Sequence, residues 1–503
     1  MNLLTKNLAN ATGIPRLTRE VLELATKEQL IDLILMLQEK YEAQLAVLQA
    51  RIAELERRLG MNSSNSSKPP SSDSPRGKKR LSKKNRKKKK RKQGAQPGHQ
   101  AHHRPLVPID EVNGLSKIVP DRCGHCGGTN LVIDQDSPLR HQVWEIPPVK
   151  PTVHETQLFS CQCRDCSHVT CAELPEGVPS GGFGPRVQAI VSYLSGIGRL
   201  SKRLVKAMLK DLLGLDMCIG SVSACEKAVS EAVAQPFEQA HQYAQDCAVL
   251  YADETSWWQK NIKTWLWVAV APLVTVFMIS SGRGREAARK LLGRFKGILV
   301  TDRWKPYRVH NGLRQFCWSH LQRDFVGFWE LGGKAGRIGH LLVQKTARMF
   351  KWWRRSRPNG VLGHRVRDGT MTRSTFRRKM RKHRIEVEDL LIDGEVCGQR
   401  PMSGKCKNIL SESHWLWTFV DHAGVEPTNN TSERQVRHGV MWRRVSFGTQ
   451  SESGSRFAER IMTVNASCRQ QGRNVFEYLT EACVARLNHR PAPSLLPSNG
   501  QTP

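Results

Sequence analysis

Five short runs of β-branched and aromatic residues between positions 248 and 318 constrain the fold more than any other feature of the chain. Pro272 marks a turn between the second and third runs, residues 285–295 have a helical pattern, and another helix follows from Ser319. Three successive strands followed by alternating helices and strands favour an α/β fold, a mixed sheet with helices on its faces. The five runs cover residues 248–252, 265–270, 274–279, 297–301 and 313–318.

Acidic residues follow two of these runs. Asp253 comes after 249–252 and Asp302 after 298–301, and ligands gather at the strand ends of open α/β sheets. A third acid would complete a site for two metal ions about 4 Å apart, the arrangement that catalyses phosphoryl displacement. The candidates for the third acid are Asp421, Glu426 and Glu433.

These acids also have simpler interpretations. Acids at strand ends are often solvated, and Asp253 and Glu254 point to opposite faces of a strand, so only one of them can line a given site. Glu433 stands three residues after Asn430, a spacing that fits a helix capping box. Spacing alone therefore leaves both a metal triad and purely structural roles open.

Two Cys-x-x-Cys pairs are the strongest metal-binding signal in the sequence. Cys123 with Cys126, and Cys163 with Cys166, are the pairing expected for a closed tetrahedral Zn²⁺ site with four sulfur ligands. A redox dithiol or a zinc ribbon that has lost its metal are the alternatives. If Zn²⁺ binds, it determines whether this small segment folds. Nearby residues leave the ligand set ambiguous: His125, Cys161, His168 and Cys171.

The charge of the chain indicates a polyanionic partner. Lys and Arg number 78 against 45 Asp and Glu, a net charge of +33, which excludes an ordinary small-molecule enzyme surface and favours nucleic acid. Residues 76–92 contain 13 basic residues and no acid, and residues 354–384 contain 12 basic residues against Asp368 alone. We interpret the first block as a disordered arm that binds phosphates, with a solvated linker as the alternative. Its centre is Lys87, Lys88, Lys89 and Lys90.

No feature of the sequence predicts a membrane protein. The longest apolar run, 265–279, is interrupted by Pro272 and is shorter than the roughly 20 residues that span a bilayer. The N-terminal residues have no secretory pattern, and the cysteines fit metal binding or buried thiols better than a disulfide framework. We therefore expect a cytoplasmic, nucleoid-associated protein.

Two helical regions precede the strands. Apolar residues recur between Ile34 and Leu59, at alternating steps of four and three after Tyr41, which favours a dimeric coiled coil ending at Gly60; a helix packed on its own domain is the alternative. Residues 200–213 and 221–233 are helical, separated by Gly214 and Gly220 and with Ser221 as the second N-cap. This pair predicts either a helix-turn-helix or an ordinary packing unit.

The sequence resembles the insertion sequence 66 family of transposases over nearly its whole length. Residues 65–73 (Asn-Ser-Ser-Lys-Pro-Pro-Ser-Ser-Asp) and 96–99 (Gln-Pro-Gly-His) resemble the family's linker, and the cysteine pairs match its zinc-binding segment. Further resemblances lie in residues 252–255 (Ala-Asp-Glu-Thr), 301–302 (Thr-Asp), 317–320 (Cys-Trp-Ser-His), 323–325 (Arg-Asp-Phe) and 429–434 (Asn-Asn-Thr-Ser-Glu-Arg).

The resemblance implies a function and a site. It implies metal-dependent DNA cleavage and strand transfer on a ribonuclease-H-like fold, with Asp253, Asp302 and Glu433 holding Mg²⁺ or Mn²⁺. Arg434 and Arg437 would face DNA or be surface charge, and accessory transposition proteins are possible partners. His320 would contact a phosphate or cap its helix; Trp257 and Trp258 would stack on bases or pack in the core. A regulator that only binds DNA and a structure-specific nuclease are the alternative functions.

The expected domain order runs from a dimerisation helix to a polar tail. It comprises a coiled coil (17–60), a disordered basic linker (61–105), a zinc-binding segment (106–180), a helical DNA-binding segment (181–245), a catalytic domain (246–485) with a helical insertion at about 333–420, and a disordered tail (486–503).

Overall fold

The computed structural model describes residues 19–23, 25–66, 104–134, 138–356 and 371–496. The block 76–92, with its four central lysines, lies outside the described residues. The described residues form two compact units. The first contains residues up to 66 together with Gln239–Gly448, and the second contains residues 104–238 and 449–496.

A five-stranded mixed sheet is the framework of the first unit. Its order is β5-β4-β3-β6-β7; the pairs β3–β4 and β4–β5 are antiparallel, whereas β3–β6 and β6–β7 are parallel. This arrangement confirms the predicted α/β class with a mixed sheet. The strands are β3 (Val249–Gln259), β4 (Ile262–Val270), β5 (Thr275–Ser280), β6 (Ile298–Thr301) and β7 (Arg314–Phe316).

Strand β3 is longer than the sequence predicts. The sequence predicts that this strand ends at Ala252, because polar residues follow. The strand instead continues to Gln259, because β4 pairs with it along the whole hairpin. Lys260 and Asn261, both with positive φ, form the two-residue turn, the geometry that two-residue hairpins favour. The expectation that Asp253 terminates a strand is therefore wrong, although Asp302 does follow the last residue of β6.

Helices surround this sheet and also form the insertion. The insertion packs around buried aromatic and apolar side chains, among them Trp318, Phe376 and Phe419. The helices of the first unit are α1 (Arg19–Glu23), α2 (Lys27–Gly60), α6 (Ala234–Asp246, entered from the second unit), α7 (Arg285–Leu292), α8 (Trp318–Trp329), α9 (Gly333–Ser356), α10 (Arg373–Glu395), α11 (Arg400–Leu410), α12 (Thr418–Asp421) and α13 (Asn430–Ser446).

Helix α2 covers the predicted coiled-coil seam. A capping box of Thr26 and Gln29 begins it, and it extends to Gly60 as predicted. None of its residues is buried within the single chain, so pairing of two such helices stays a prediction. The turn after it is anchored, because the Asn65 side-chain amide donates to Glu330 Oε2 at 2.6 Å.

The second unit is built mainly from helices. Helix α4 ends at Gly214, as predicted, and this glycine has the left-handed conformation. The next helix begins earlier than predicted: its N-cap is Cys218, whose Sγ accepts the Ser221 N–H, and Gly220 lies inside the helix. The elements are β1 (Ser160–Gln162), β2 (Val169–Cys171), α3 (Pro185–Ser192), α4 (Lys202–Leu213), α5 (Ile219–Ala232), α14 (Glu452–Gln470) and α15 (Val475–Leu487).

The expected disordered tail is wrong for residues 488–496. Leu495 is fully buried, Tyr478 Oη donates to the Pro493 carbonyl at 2.8 Å, and Arg473 donates to the Ser494 carbonyl at 2.9 Å. An apolar anchor and two backbone acceptors give this polar, Pro-rich segment a fixed position that its composition does not reveal. Residues 497–503 lie outside the described residues.

Candidate active site

The register of the sheet brings Asp253 and Asp302 side by side. The parallel pairing of β3 with β6 ends at Tyr251 and Val300, and each acid lies two residues beyond its paired residue. Burial raises the pKa of Asp253 well above its ordinary value. Three nearby carboxylates raise this pKa further, those of Glu254, Asp302 and Glu433.

Glu433 lies in the first turn of α13, which is fixed to β3. The N-cap of α13 is Asn429, and its buried side-chain amide donates to the Ala252 carbonyl at 2.8 Å, immediately before Asp253. The capping box with Asn430 is not formed, because Asn430 is already the first helical residue. Farther along α13, Gly439 allows close approach to β4: a Cβ there would lie 2.1 Å from Leu266 Cδ2.

The other two candidate acids lie elsewhere. Glu426 accepts a hydrogen bond from Trp353 Nε1 at 3.3 Å, and its backbone N–H donates to Tyr251 Oη at 3.1 Å. Asp421 is exposed at the end of α12 and interacts electrostatically with Arg373. Both acids therefore serve the packing of the insertion, and Glu433 is the candidate that the structure brings to Asp253.

Glu254 supports the site from the opposite face of β3. Its carboxylate is buried, accepts a hydrogen bond from Tyr307 Oη at 2.6 Å and pairs with Arg283 at 2.8 Å. The Arg283 guanidinium is placed between two indole rings, 4.7 Å from Trp265 and 4.1 Å from Trp304. This network makes Glu254 a structural acid.

A hydrogen bond and an ion pair fix the two residues that follow Asp302. The Trp304 N–H donates to Asp302 Oδ1 at 2.9 Å. Arg303 pairs at 2.6 Å with Asp324, a nearly fully buried acid of α8. Lys405 from α11 binds the other oxygen of Asp324 at 2.6 Å. Asp324 therefore connects the helical insertion to the loop that carries Asp302, a role that spacing could not reveal.

Helix α8 brings two basic side chains to Glu433. His320 Nδ1 lies 3.6 Å and an Arg323 guanidinium nitrogen 3.8 Å from Glu433 Oε1. Burial alone lowers the pKa of His320, but Cys317 and Asp302 raise it, to about 9 in total. The N-cap of α8 is Cys317, so His320 is not the cap, and its side chain faces the acids. The sequence resemblance included the segment with Arg323 but gave this residue no role.

The residues predicted to contact DNA or to stack on bases differ in how deeply they are buried. Arg434 and Arg437 on α13 are exposed, which leaves their role untested. Trp257 is fully buried and meets Trp442 edge to face, so it is a core residue. Trp258 is 40% exposed, so its stacking on bases stays a prediction.

The two cysteine pairs form matching turns. The Cys123 N–H donates to the Gly128 carbonyl and the Cys163 N–H to the His168 carbonyl, both at 2.8 Å. Gly127 and Ser167 have positive φ at equivalent positions. The backbone N–H of Cys126 lowers the pKa of the Cys123 thiol. In the same way, the backbone N–H of Cys166 lowers the pKa of the Cys163 thiol. Both effects favour the thiolates that bind Zn²⁺.

A compact group of side chains that could bind a metal lies outside the cysteine pairs. Among the described residues, Cys317, His320 and Glu433 form a trio whose donor atoms all lie within 4.8 Å of one another. Of the extra cysteines near the second knuckle, Cys161 and Cys171 lie in the β1–β2 hairpin, and Cys171 Sγ is 3.0 Å from Ser160 Oγ.

The chain belongs to the IS66 family of transposases: residues 183–456, more than half of its length, match the family described as "Transposase IS66 family". Residues 120–167 match the zinc-finger binding domain of transposase IS66, which supports zinc binding. Residues 15–105 match a family of unknown function.

Two curated relatives are similar to the chain at low identity. An uncharacterized protein of Sinorhizobium fredii, y4qI, is 22% identical over 242 residues, which are 44% of this chain and 43% of the relative. Another from the same organism, y4hP, is 23% identical over 406 residues, 70% of this chain and 68% of the relative. The match thus spans less than half of the first relative's length.

The helices of the described residues include none that is both long and apolar enough to cross a membrane.

Proposed function

We propose that the protein is a DNA transposase whose Asp253, Asp302 and Glu433 form an Asp-Asp-Glu triad on a ribonuclease-H-like domain. The observation that supports this most is the convergence of the three carboxyls. Asp253 and Asp302 each lie two residues beyond the last β3–β6 pair, and the Asn429 side-chain amide donates to the Ala252 carbonyl at the start of the Glu433 helix. Membership of a transposase family supports the same activity.

The donor set fits divalent metal ions. The carboxylates of Asp302 and Glu433 raise the pKa of buried Asp253, and a bound cation would offset the repulsion among these negative charges; oxygen ligands suit Mg²⁺ or Mn²⁺. We propose that all three acids hold these ions. When bound, such ions activate an attacking oxygen and stabilise the leaving one.

The proposed reaction has two phosphoryl transfers. In the first, a water oxygen bonds to a phosphorus at the element's end and the P–O3′ bond breaks, which leaves a 3′-hydroxyl. In the second, that hydroxyl attacks a phosphorus of target DNA and displaces another 3′-oxygen. Arg323 and His320 lie beside Glu433 with positive charge available to phosphate oxygens.

Several parts of the chain would bind the DNA. We propose that the zinc segment and the basic blocks at 76–92 and 354–384 hold backbone phosphates, together with Arg434 and Arg437 near the triad. Pairing through α2 would give a homodimer that holds two element ends. The reaction would take place on chromosomal DNA in a bacterial cytoplasm.

Cleavage and joining of DNA that carries the element's terminal inverted repeats, with Mg²⁺, tests the proposal. The wild type should give joined products, and Asp253→Asn should bind the DNA without cutting it. Glu426→Gln is the matched control, since it removes a carboxylate charge while keeping an acceptor for Trp353, and it should still join ends. Nicks without joining would support a nuclease, binding alone a regulator, and cleavage by purified Asp253→Asn would exclude the triad.

A further inference from the structure

Cys317, His320 and Glu433 converge from two separate elements. Cys317 and His320 are the N-cap and third residue of α8, and Glu433 lies in the first turn of α13. Cys317 Sγ is 3.9 Å and His320 Nδ1 3.6 Å from the same oxygen, Glu433 Oε1. A thiol, an imidazole and a carboxylate at this spacing form a different donor set from the three carboxyls of the triad.

The spacing fits a tetrahedral zinc ion. With Zn–S of about 2.3 Å and Zn–N and Zn–O of about 2.1 Å, tetrahedral angles place sulfur about 3.6 Å and nitrogen about 3.4 Å from the carboxylate oxygen. The observed separations exceed these values by only a few tenths of an ångström. Small side-chain rotations would therefore close the three ligands around one ion and leave a fourth position open.

The surroundings of the ligands also suit a metal. His320 Nδ1 is buried and lies 3.6 Å from Glu433 Oε1, too far for a hydrogen bond, and a bound metal ion would displace the proton of the imidazole. Cys317 is buried, and its Sγ accepts the Asn429 N–H at 3.1 Å, a bond that orients the sulfur and stabilises negative charge on it. Arg323 reaches Glu433 Oε1 only at 3.8 Å, beyond hydrogen-bond distance.

We propose that Cys317, His320 and Glu433 form a binding site for a soft divalent cation, Zn²⁺, that shares Glu433 with the carboxylate triad. Sulfur and nitrogen ligands select Zn²⁺ over Mg²⁺, which prefers oxygen. If the proposed function is correct, Zn²⁺ bound here withdraws Glu433 from the triad. Zinc would then inhibit DNA cleavage in competition with Mg²⁺.

Zinc content of the full-length protein tests the site without DNA. After equilibration with Zn²⁺ and desalting, elemental analysis should find one more zinc ion per chain in the wild type than in Cys317→Ser or Glu433→Gln. Cys406→Ser, which changes a buried thiol of the insertion, is the matched control and should keep the wild-type content. The serine at 317 still accepts the Asn429 N–H, and thermal melting confirms that each variant is folded.

Cobalt substitution identifies the sulfur ligand directly. The wild type minus Cys317→Ser difference spectrum with Co²⁺ should contain a near-ultraviolet sulfur-to-cobalt band. Equal zinc content in the wild type and both site variants, or a loss shared by Cys406→Ser, would overturn the proposal; the trio would then be held by hydrogen bonds and a proton. Because these measurements use no DNA, their outcome is independent of whether strand transfer is observed.

Discussion

The carboxylate site and the zinc-knuckle segment are built in opposite ways. Around the acids, the sheet register, the buried Asn429 amide and buried ion pairs fix the side chains without a metal. In the knuckle segment, no described residue between 104 and 188 is buried, and side chains such as Val132 and Leu139 are almost fully exposed. The fold holds the first site, whereas bound zinc would hold the fold of the second.

Removal of zinc should therefore have the largest effect, and a local one. Structural zinc contributes about 10 kcal/mol or more to the folding of small domains. We expect Cys163→Ser, or chelation, to abolish hydrogen-exchange protection of the Cys123 N–H and its neighbours while amides of β3 stay protected. Cys218→Ser, at the exposed N-cap of α5, is the control. Loss of protection in β3 as well would contradict the contrast between the sites.

Loss of the buried Asp324 carboxylate, which binds the loop after Asp302, should have the second-largest effect. Asp324→Asn leaves Arg303 and Lys405 without their anion, and breaking such a pair costs about 3 kcal/mol at the lower end of the buried range, since both cations are partly exposed. Chemical denaturation measures this cost, and DNA cleavage should fall with it. The exposed pair of Asp246 and Arg294 provides the control: Asp246→Asn should leave the free energy of unfolding nearly unchanged, because solvent screens an exposed ion pair. Equal costs for the two variants would remove Asp324 from the support of the site.

A methyl group added at Gly439, where α13 packs on β4, should have a smaller effect on stability. Gly439→Ala places a Cβ 2.1 Å from buried Leu266 Cδ2, and overpacking of this kind costs about 1–3 kcal/mol. Gly404→Ala, on α11 with nothing within 4 Å, should instead stabilise its helix by about 0.5–1 kcal/mol. Thermal melting separates the two. If cleavage survives Gly439→Ala unchanged, the position of α13 is less critical than the fixed site requires.

The smallest effect should come from the charge of Asp253, in the proposed triad. The folded-state pKa of Asp253 is raised, so folding favours its protonated form, and the metal-free protein should lose stability as pH rises above the unfolded-state pKa of about 4. Asp253→Asn should reduce this loss and raise the metal-free Tm by a few degrees. Mg²⁺ should stabilise the wild type and not the variant. A pH-independent Tm difference would mean that folding does not raise the pKa of Asp253.

The sequence predicted the sheet better than the site. Strands β4 to β7 were found within about three residues because their runs are β-branched and continuous, whereas the end of β3 was missed because its polar residues depend on pairing with β4. Asp302 could be predicted as a site residue because it directly follows a short β-branched run. Selection of Glu433 required the family resemblance, since the 130 residues between Asp302 and Glu433 contain an insertion whose packing no local pattern encodes. The roles of Asp324 and Asn429 depend on tertiary contacts alone.

Asp324 has a consequence for how the family's sequences vary. One buried acid neutralises two cations from different elements, so a change at position 303, 324 or 405 alters the charge balance of the other two. Substitutions at these positions should therefore occur as sets across homologues, with the acid lost only where both bases are lost. The insertion, despite its distance in sequence from the strands, would then evolve under the same constraint as the loop that carries Asp302.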